Sequence, residues 1–417
     1  IRSHSVDGLI AEAVKSGRAF SGRPDRDGEG LCFILFTSGS TGQPKGVRIR
    51  HRSVSNLLAV LEEQMAALDG GVLCTTNYIF DIFFTESLAA LAFGKYVVMA
   101  DEEEMVLPWK AAALVERHQV EMFQFTPSRA SLFMDNEKFF KAATGISLAV
   151  TAGEALDMGL VEKFRRAGIH RILNLYGPTE ATVYATMADV TAADRITIGK
   201  VLPNCRGYIL DEEGTLVIPG ARGELYLAGE CLAAGYAGRE DLTRERFLPD
   251  FLNKKERMYR TGDIVRLLPD GRIEYLGRRD HQVKLNGQRI ELGEINQKLL
   301  ECGDVLQAAT IIKRDGLIMK LCSFVRPKEE GSLDLEALKN SLARELPAYM
   351  IPSQIQALDK MPCTASGKID LAALEKIEGV RDALEEPSEK MPKPAGETLS
   401  ERMPEPTGRG PSEKEPE

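Results

Sequence analysis

The sequence predicts an α/β protein: a large N-terminal domain of α/β layers plus a β-barrel-like layer, then a small α+β C-terminal domain. Three observations predict it. Up to residue 177, short apolar runs alternate with stretches of helical apolar spacing, the pattern of a mostly parallel sheet covered on both faces. After about residue 195 the chain becomes a succession of short strands with Gly and Pro turns, "RGYILDEEGTLVIPGARGELYLAG", which predicts an antiparallel or barrel-like layer. A further boundary falls in "LGRRDHQVKLNGQRIELGEI" (276–295), and the helices and strands beyond it have the size of a small independent domain.

The elements follow in order. Residues 7–16 read as a short helix before a polar, Gly-rich connector. "LCFILF" reads as a buried strand running into a glycine loop, "RSVSNLLAVLEEQMAAL" as a helix and "YVVMA" as a strand. Then come a helix near 110–118, strand "EMFQF", helix 128–134, strand "LAVTAG", helix 157–167 and strand "RILNLYG". Past the second boundary lie a helix at 293–301, strands "VLQAATIIKR" and "LIMKLCSFVRP", a helix at 333–345 and a short terminal helix. From about residue 378 the chain is Glu, Lys and Pro with too little apolar surface to offset ordering, which predicts a disordered linker or tail. The expected division is 1–279, 280–377 and 378–417.

Composition narrows the function classes. A chain of 417 residues is long for one core, which predicts two domains. The hydrophobic fraction of 43% and charged fraction of 28% are those of a soluble globular protein. A net charge of -9 argues against nucleic acid and anionic membrane as partners. Seven scattered cysteines without a C-x-x-C pair read as reduced thiols of a cytoplasmic protein, not as a disulfide frame or zinc site. "LAALAFGKYVVMA", the most apolar stretch, is interrupted by Gly94 and Lys95 and is too short to span a bilayer. No signal peptide opens the chain, and "IRSHSVDGLI" reads as the interior of a domain.

The segment "FTSGSTGQPKGV" (36–47) has the glycines, hydroxyls and lysine of a phosphate cradle. It is not a Walker P-loop, because Lys45 follows Pro44 and precedes Gly46 instead of a hydroxyl that could hold magnesium. Four more segments stand out: "NLYGPTEATV" (174–183), "YRTGD" (259–263), "GRRDHQVKLNGQRIELGE" (277–294) and "PCTASGKID" (362–370). Singly, each has a structural reading: a Pro turn opening a helix, a tight turn with glycine at φ > 0, a loop with a solvated lysine.

Together and in this order, over about residues 30–376, they resemble the adenylation domains of nonribosomal peptide synthetases, members of the adenylate-forming superfamily. The resemblance implies a large domain of α/β and β layers with a mobile C-terminal domain. It implies ATP and Mg²⁺ as cofactors, with attack of a carboxylate on the α-phosphorus and loss of pyrophosphate. A carrier protein's phosphopantetheine thiol then takes the acyl group, so a peptidyl carrier and other synthetase modules are the implied partners.

By the same resemblance, Thr37, Ser38, Gly39, Ser40, Thr41 and Gly42 hold the β- and γ-phosphates, with Lys45 as a cation on the leaving group. Tyr176 stacks on adenine, Asn174 meets its exocyclic amine, and Gly153, Glu154 and Ala155 wall its other side, with Gly177 beside them. Thr179 holds the α-phosphate and Glu180 ligates magnesium. Asp263 takes the ribose hydroxyls with Arg278 nearby. Lys368 matches the family's catalytic lysine, and Asp280 the hinge of the C-terminal domain.

In "NYIFDIFFTESL", Asp81 matches the residue that pairs with a substrate α-ammonium, which implies an α-amino acid. Fatty-acid and aryl-acid branches have no ammonium, and a buried unpaired carboxylate is costly. The rest of the pocket maps to Ile82, Thr85, Gln124, Val150, Ala152, Leu175, Val183 and Tyr184, with Lys368 at its mouth. Without a charge it disfavours acidic and basic side chains; Tyr184 and Ala152 reduce its volume, so a small neutral amino acid, glycine first, is expected.

The match has gaps. The family's first two core motifs are absent, so part of the first subdomain is expected to be missing. Phe36 replaces a usual tyrosine, Phe83 a frequent serine, Asn286 a common arginine and Asn296 a common glutamate. Two rival readings stand beside this one: an acyl-CoA-ligase-like enzyme, and a catalytically incomplete nucleotide-binding fragment.

Overall fold

The computed structural model describes residues 28–37, 44–279, 282–285, 288–315, 318–329, 333–363 and 369–377. The expected helix at 7–16, the tail from 378, and Ser38, Gly39, Ser40, Thr41, Gly42, Asp280 and Lys368 lie outside the described residues.

Leu31–Thr37 (β1) and Lys45–Arg50 (β2) pair antiparallel, with Thr37 opposite Lys45. The expectation of a buried strand at 31–36 fails. Leu31, Ile34 and Phe36 are 49%, 40% and 68% exposed, because β1 is the edge of a three-stranded sheet. Val47 and Ile49 of β2, the middle strand, are buried instead. The helix His51–Ala66 follows, burying Leu57, Leu61 and Met65 at helical spacing.

Gly71–Cys74 (β3), Val97–Met99 (β4), Val120–Phe125 (β5), Leu148–Ala152 (β6), Arg171–Tyr176 (β7), Thr186–Asp189 (β8) and Lys200–Val201 (β9) form the main sheet, in the order β4-β3-β5-β6-β7-β8-β9. The pairs among β3 to β7 are parallel, and β8 and β9 are added antiparallel. Alternate residues of the same strands feed two cores, since side chains along a strand point to opposite faces. Phe123, Phe125, Ala149 and Ile172 meet Phe133, Phe139 and Phe164 on one face. Met122, Leu148, Val150, Leu173 and Leu175 meet Leu57, Leu61 and Met65 on the other. Burial of both faces is why these strands read as unbroken apolar runs.

Local signals fix the helix starts. Pro108 and Pro127 open Pro108–Arg117 and Pro127–Met134, where a missing N–H costs nothing. Asp157 caps Met158–Arg166, accepting from the Leu160 N–H at 3.0 Å.

Cys205–Leu210 (β10), Arg222–Gly229 (β11), Gly235–Tyr236 (β12), Phe247–Pro249 (β13), Arg257–Leu267 (β14) and Ile273–Arg278 (β15) make up the antiparallel layer that the Gly/Pro-rich segment predicts. All but β12, which joins β2, form one five-stranded sheet. Beyond it, Gln282–Leu285 (β16) and Gln288–Glu291 (β17) form a hairpin, and Val305–Asp315 (β18), Ile318–Pro327 (β19) and Gln354–Ala357 (β20) a mixed sheet. Helices Leu292–Glu301 and Leu335–Glu345 cover this part around Ile290, Ile295, Leu299, Val325 and Leu342. Among the described residues no helix is long and apolar enough to cross a membrane. All seven cysteines are free.

Candidate active site

Ligands of α/β sheets gather at the carboxyl ends of the strands, where the topology changes. Here β6 and β7 end beside the first antiparallel neighbour, β8, and a cleft opens there. It is lined by Thr37, the segment Ile79–Ile82, Ala152 and Gly153, Tyr176 to Thr179, Val183, Tyr184, Asp263, Arg278 and Tyr349.

One end is organised around Asp263. The Tyr176 hydroxyl donates to Asp263 Oδ2, and Arg278 Nη1 lies 2.9 Å from Asp263 Oδ1. Burial, and then the Asp263 charge, hold the Tyr176 phenol well above its ordinary pKa, so it stays a donor. The "YRTGD" segment is not a tight turn. Glu224 faces Ile264 and Tyr226 faces Arg260, so the residues between Arg260 and Ile264 bulge opposite Leu225. Gly262 supplies a φ of 78° inside that bulge, and the Thr261 hydroxyl anchors it by donating to the Leu225 carbonyl at 2.7 Å.

The next stretch is a strained turn. A Cβ on Gly177 would come within 2.5 Å of the Val183 carbonyl oxygen, so only glycine fits there. Thr179–Ala181 form a 3₁₀ turn, and Thr182 and Val183 follow at φ of 52° and 67°. Left-handed backbone is a true outlier for β-branched residues. Two contacts hold it: Thr182 Oγ1 donates to the Cys231 carbonyl at 2.7 Å, and the Ala233 N–H donates to the Glu180 carbonyl at 2.9 Å.

That turn delivers Thr179 and Glu180. Glu180 is wholly buried, with Oε1 3.2 Å from Lys45 Nζ. The Tyr236 hydroxyl donates to the same oxygen at 2.8 Å. Thr179 Oγ1 donates to Asp81 Oδ2 at 2.6 Å, linking the Glu180 turn to the Asp81 segment. Among the described residues no group of three or more His, Cys, Asp or Glu could hold a metal by itself. A single carboxylate such as Glu180 still suits Mg²⁺, which binds through one or two carboxylates plus substrate phosphates.

At the other end, Asp81 precedes the short helix Ile82–Phe84, which continues as a π-helical turn, Thr85–Ala89. Val150, Ala152, Leu175, Val183 and Tyr184 are buried in one apolar cluster, with Ile82 packed against it. Gln124 Nε2 donates to Thr85 Oγ1 at 3.1 Å, so the polar pair at this end is neutral. Among the described residues the expected pocket positions are thus brought together; Lys368 lies outside them.

Of the expected residues, Lys45, Glu180, Thr85, Gln124, Val150 and Leu175 are buried behind the cleft wall, while Asn174, Glu154 and Ala155 turn to other partners or away from it. Asn174 sits two residues inside β7, where its amide donates to the Thr197 carbonyl at 2.8 Å. The Glu154 carboxylate accepts from the Ser128 N–H at 2.9 Å, at the start of the helix Pro127–Met134, and Ala155 is exposed beyond it. Other residues matter that the motifs do not flag. Glu86 is fully buried and accepts from the N–H groups of Thr75 and Thr76 at 2.8 and 2.9 Å, pinning the strand end before the Asp81 segment. Burial raises its pKa against those donors and the Arg129 charge. An acid within the apolar run "FFTESLAALAF" is the signal that could have found it. Tyr349 packs edge-on against Phe80, with centroids 6.3 Å apart, and the Tyr275 ring lies 6.2 Å from that of Tyr176.

Comparison with known proteins matches the same regions. Residues 5–237 match the family model described as AMP-binding enzyme, and 294–368 match its C-terminal domain. Gramicidin S synthase 2 of Brevibacillus brevis is 39% identical over 365 residues, covering 85% of this chain and 8% of the synthase. This chain therefore corresponds to a small part of that relative. A solved four-domain nonribosomal peptide synthetase bound to AMP and glycine is 35% identical, with a TM-score of 0.57 over 88% of this chain and 27% of its own. A solved synthetase protein containing adenylation and PCP domains is 28% identical, with a TM-score of 0.74 over 86% of this chain and 62% of its own.

Proposed function

This chain belongs to the AMP-binding enzyme family, and we propose that it activates an amino acid carboxylate with ATP, giving aminoacyl-AMP and pyrophosphate. The carrying observation is one cleft lined by Tyr176, Asp263, Arg278, Thr179 and Asp81, with Thr179 bonded to Asp81 and followed directly in the chain by Glu180 of the buried Lys45–Glu180 pair. A carboxylate oxygen attacks the α-phosphorus in line and the pyrophosphate leaves, so positioning and charge neutralisation carry the rate.

The roles follow from chemistry. Tyr176 offers its ring to adenine, with Gly153 and Gly177 close to the base. Asp263 accepts from the ribose hydroxyls, with Arg278 behind it. Thr179 turns its hydroxyl to the α-phosphate, while Thr37, Lys45 and the intervening glycine segment take the β- and γ-phosphates. Glu180 would hold Mg²⁺, which when bound neutralises charge on the phosphates. Lys368 is proposed to bridge carboxylate and α-phosphate. Residues 1–279 and 280–377 are proposed as the two domains, hinged at Asp280, with transfer to a carrier protein's phosphopantetheine thiol as the second half-reaction.

The substrate is proposed to be a small neutral amino acid, glycine first. Asp81 pairs with its α-ammonium, the remaining wall is uncharged, and Tyr184 fills the volume a side chain would need. The 35% identical synthetase solved with AMP and glycine supports this choice. An ATP–pyrophosphate exchange panel across the amino acids tests it. Glycine should give the highest rate. A maximum with Lys or Glu would refute the uncharged pocket, and thermal stabilisation by ATP without exchange for any amino acid would refute adenylation.

A further inference from the structure

Tyr236 is anchored at three points. Its backbone pairs with Val47 of β2, its N–H donates to Thr243 Oγ1 at 2.9 Å, and its fully buried ring packs against Phe247 with centroids 5.7 Å apart. These anchors aim the hydroxyl at Glu180 Oε1, 2.8 Å away, with Lys45 Nζ at 3.5 Å from the same hydroxyl. Three residues earlier, the Ala233 N–H holds the Glu180 carbonyl. One segment therefore fixes Glu180 by both backbone and side chain.

We propose that Tyr236 is a positioning residue that keeps the Glu180 carboxylate oriented for magnesium when Lys45 turns to the phosphates. This rests on the ATP reading above. A triphosphate competes with Glu180 for the Lys45 ammonium, and a phosphate with several charged oxygens is the stronger partner. Once Lys45 is shared with phosphate, a buried carboxylate needs another donor to hold its orientation. The phenol supplies it, and because it is anchored at three points it does not follow the lysine. Hydrogen-bond partners of this kind typically change metal affinity 10- to 100-fold.

Calorimetric titration of ATP into the full chain, without amino acid, at a series of MgCl₂ concentrations and in EDTA, tests the idea without turnover. Tyr236→Phe keeps the ring and removes only the hydroxyl. It should raise the MgCl₂ midpoint of ATP binding about tenfold and leave affinity in EDTA within about twofold. In a Glu180→Gln background the same substitution should move the midpoint by less than about twofold, a difference that a general loss of packing does not produce. Lys45→Met should weaken ATP binding while shifting the MgCl₂ midpoint less than Tyr236→Phe does. An unchanged midpoint in Tyr236→Phe, equal shifts in both backgrounds, or a larger midpoint shift in Lys45→Met overturns the proposal. A wild-type chain that binds no ATP at any MgCl₂ concentration overturns the functional reading itself.

Discussion

In the part of the site proposed to take the nucleotide, Lys45 stands 3.2 Å from Glu180, and Arg278 2.9 Å from Asp263. In the part proposed to take the amino acid, beyond Asp81, the neutral pair Thr85 and Gln124 accompanies an apolar wall of Val150, Leu175 and Val183. The first end offers charges already matched to protein partners, so on the proposed reading a nucleotide would bind there by exchanging partners, and the cost of uncovering a buried charge would be avoided. The second end offers shape. On the proposed reading, discrimination there would be set by volume, at about 1–3 kcal/mol per methylene. The Thr179–Asp81 hydrogen bond joins the two, so the residue proposed to face phosphate also steadies the residue proposed to face ammonium.

Five substitutions would break or sharpen that contrast. Lys368→Ala should have the largest effect, because it removes a cation proposed to act between the two ends. Adenylate formation should fall about 10²- to 10³-fold, with ATP affinity within about twofold, measured by single-turnover pyrophosphate release and calorimetry. Asp81→Asn should raise KM for the amino acid about 10- to 100-fold while KM for ATP changes little, which separates the ends kinetically. If both KM values rise together, the Thr179 link dominates and the two ends are not independent.

Asp263→Asn should raise KM for ATP about tenfold and spare KM for the amino acid, since it removes the charge facing Arg278 and leaves a single acceptor oxygen where Arg278 and Tyr176 now have one each. Tyr184→Ala should move the preference between glycine and a larger neutral amino acid about tenfold toward the larger one, read from kcat/KM ratios. The smallest effect belongs to a position far from both ends. Asp157→Ala removes a helix cap, should cost about 1 kcal/mol and about 2–4 °C in Tm, and should leave both KM values unchanged.

Much of the fold was legible because its signals are local. Runs such as "LAVTA" are apolar on both faces and could only be strands of a covered sheet, and Pro108, Pro127 and Asp157 mark helix starts within a residue or two. "LCFILF" misled for a physical reason: an apolar run reports what a strand could bury, not whether it lies at a sheet edge. Thr179, Glu180, Asp263 and Lys45 were legible as motif residues. That Asn174 and Glu154 spend their side chains on Thr197 and Ser128 was not, because those partners are set by register and packing.

The sequence by itself determined most element types and the family motifs, since each rests on residue identity and short spacing. Tertiary structure alone decided which charges meet. Lys45 and Tyr236 are 191 residues apart and Glu180 lies between them in the chain, yet a two-residue strand pairing with β2 brings all three together. It also decided how Asp263 is aimed, through a bulge around Gly262 that no spacing rule distinguishes from a turn. Contacts of that kind depend on where the backbone places a rigid side chain, and only the packed sheets fix that.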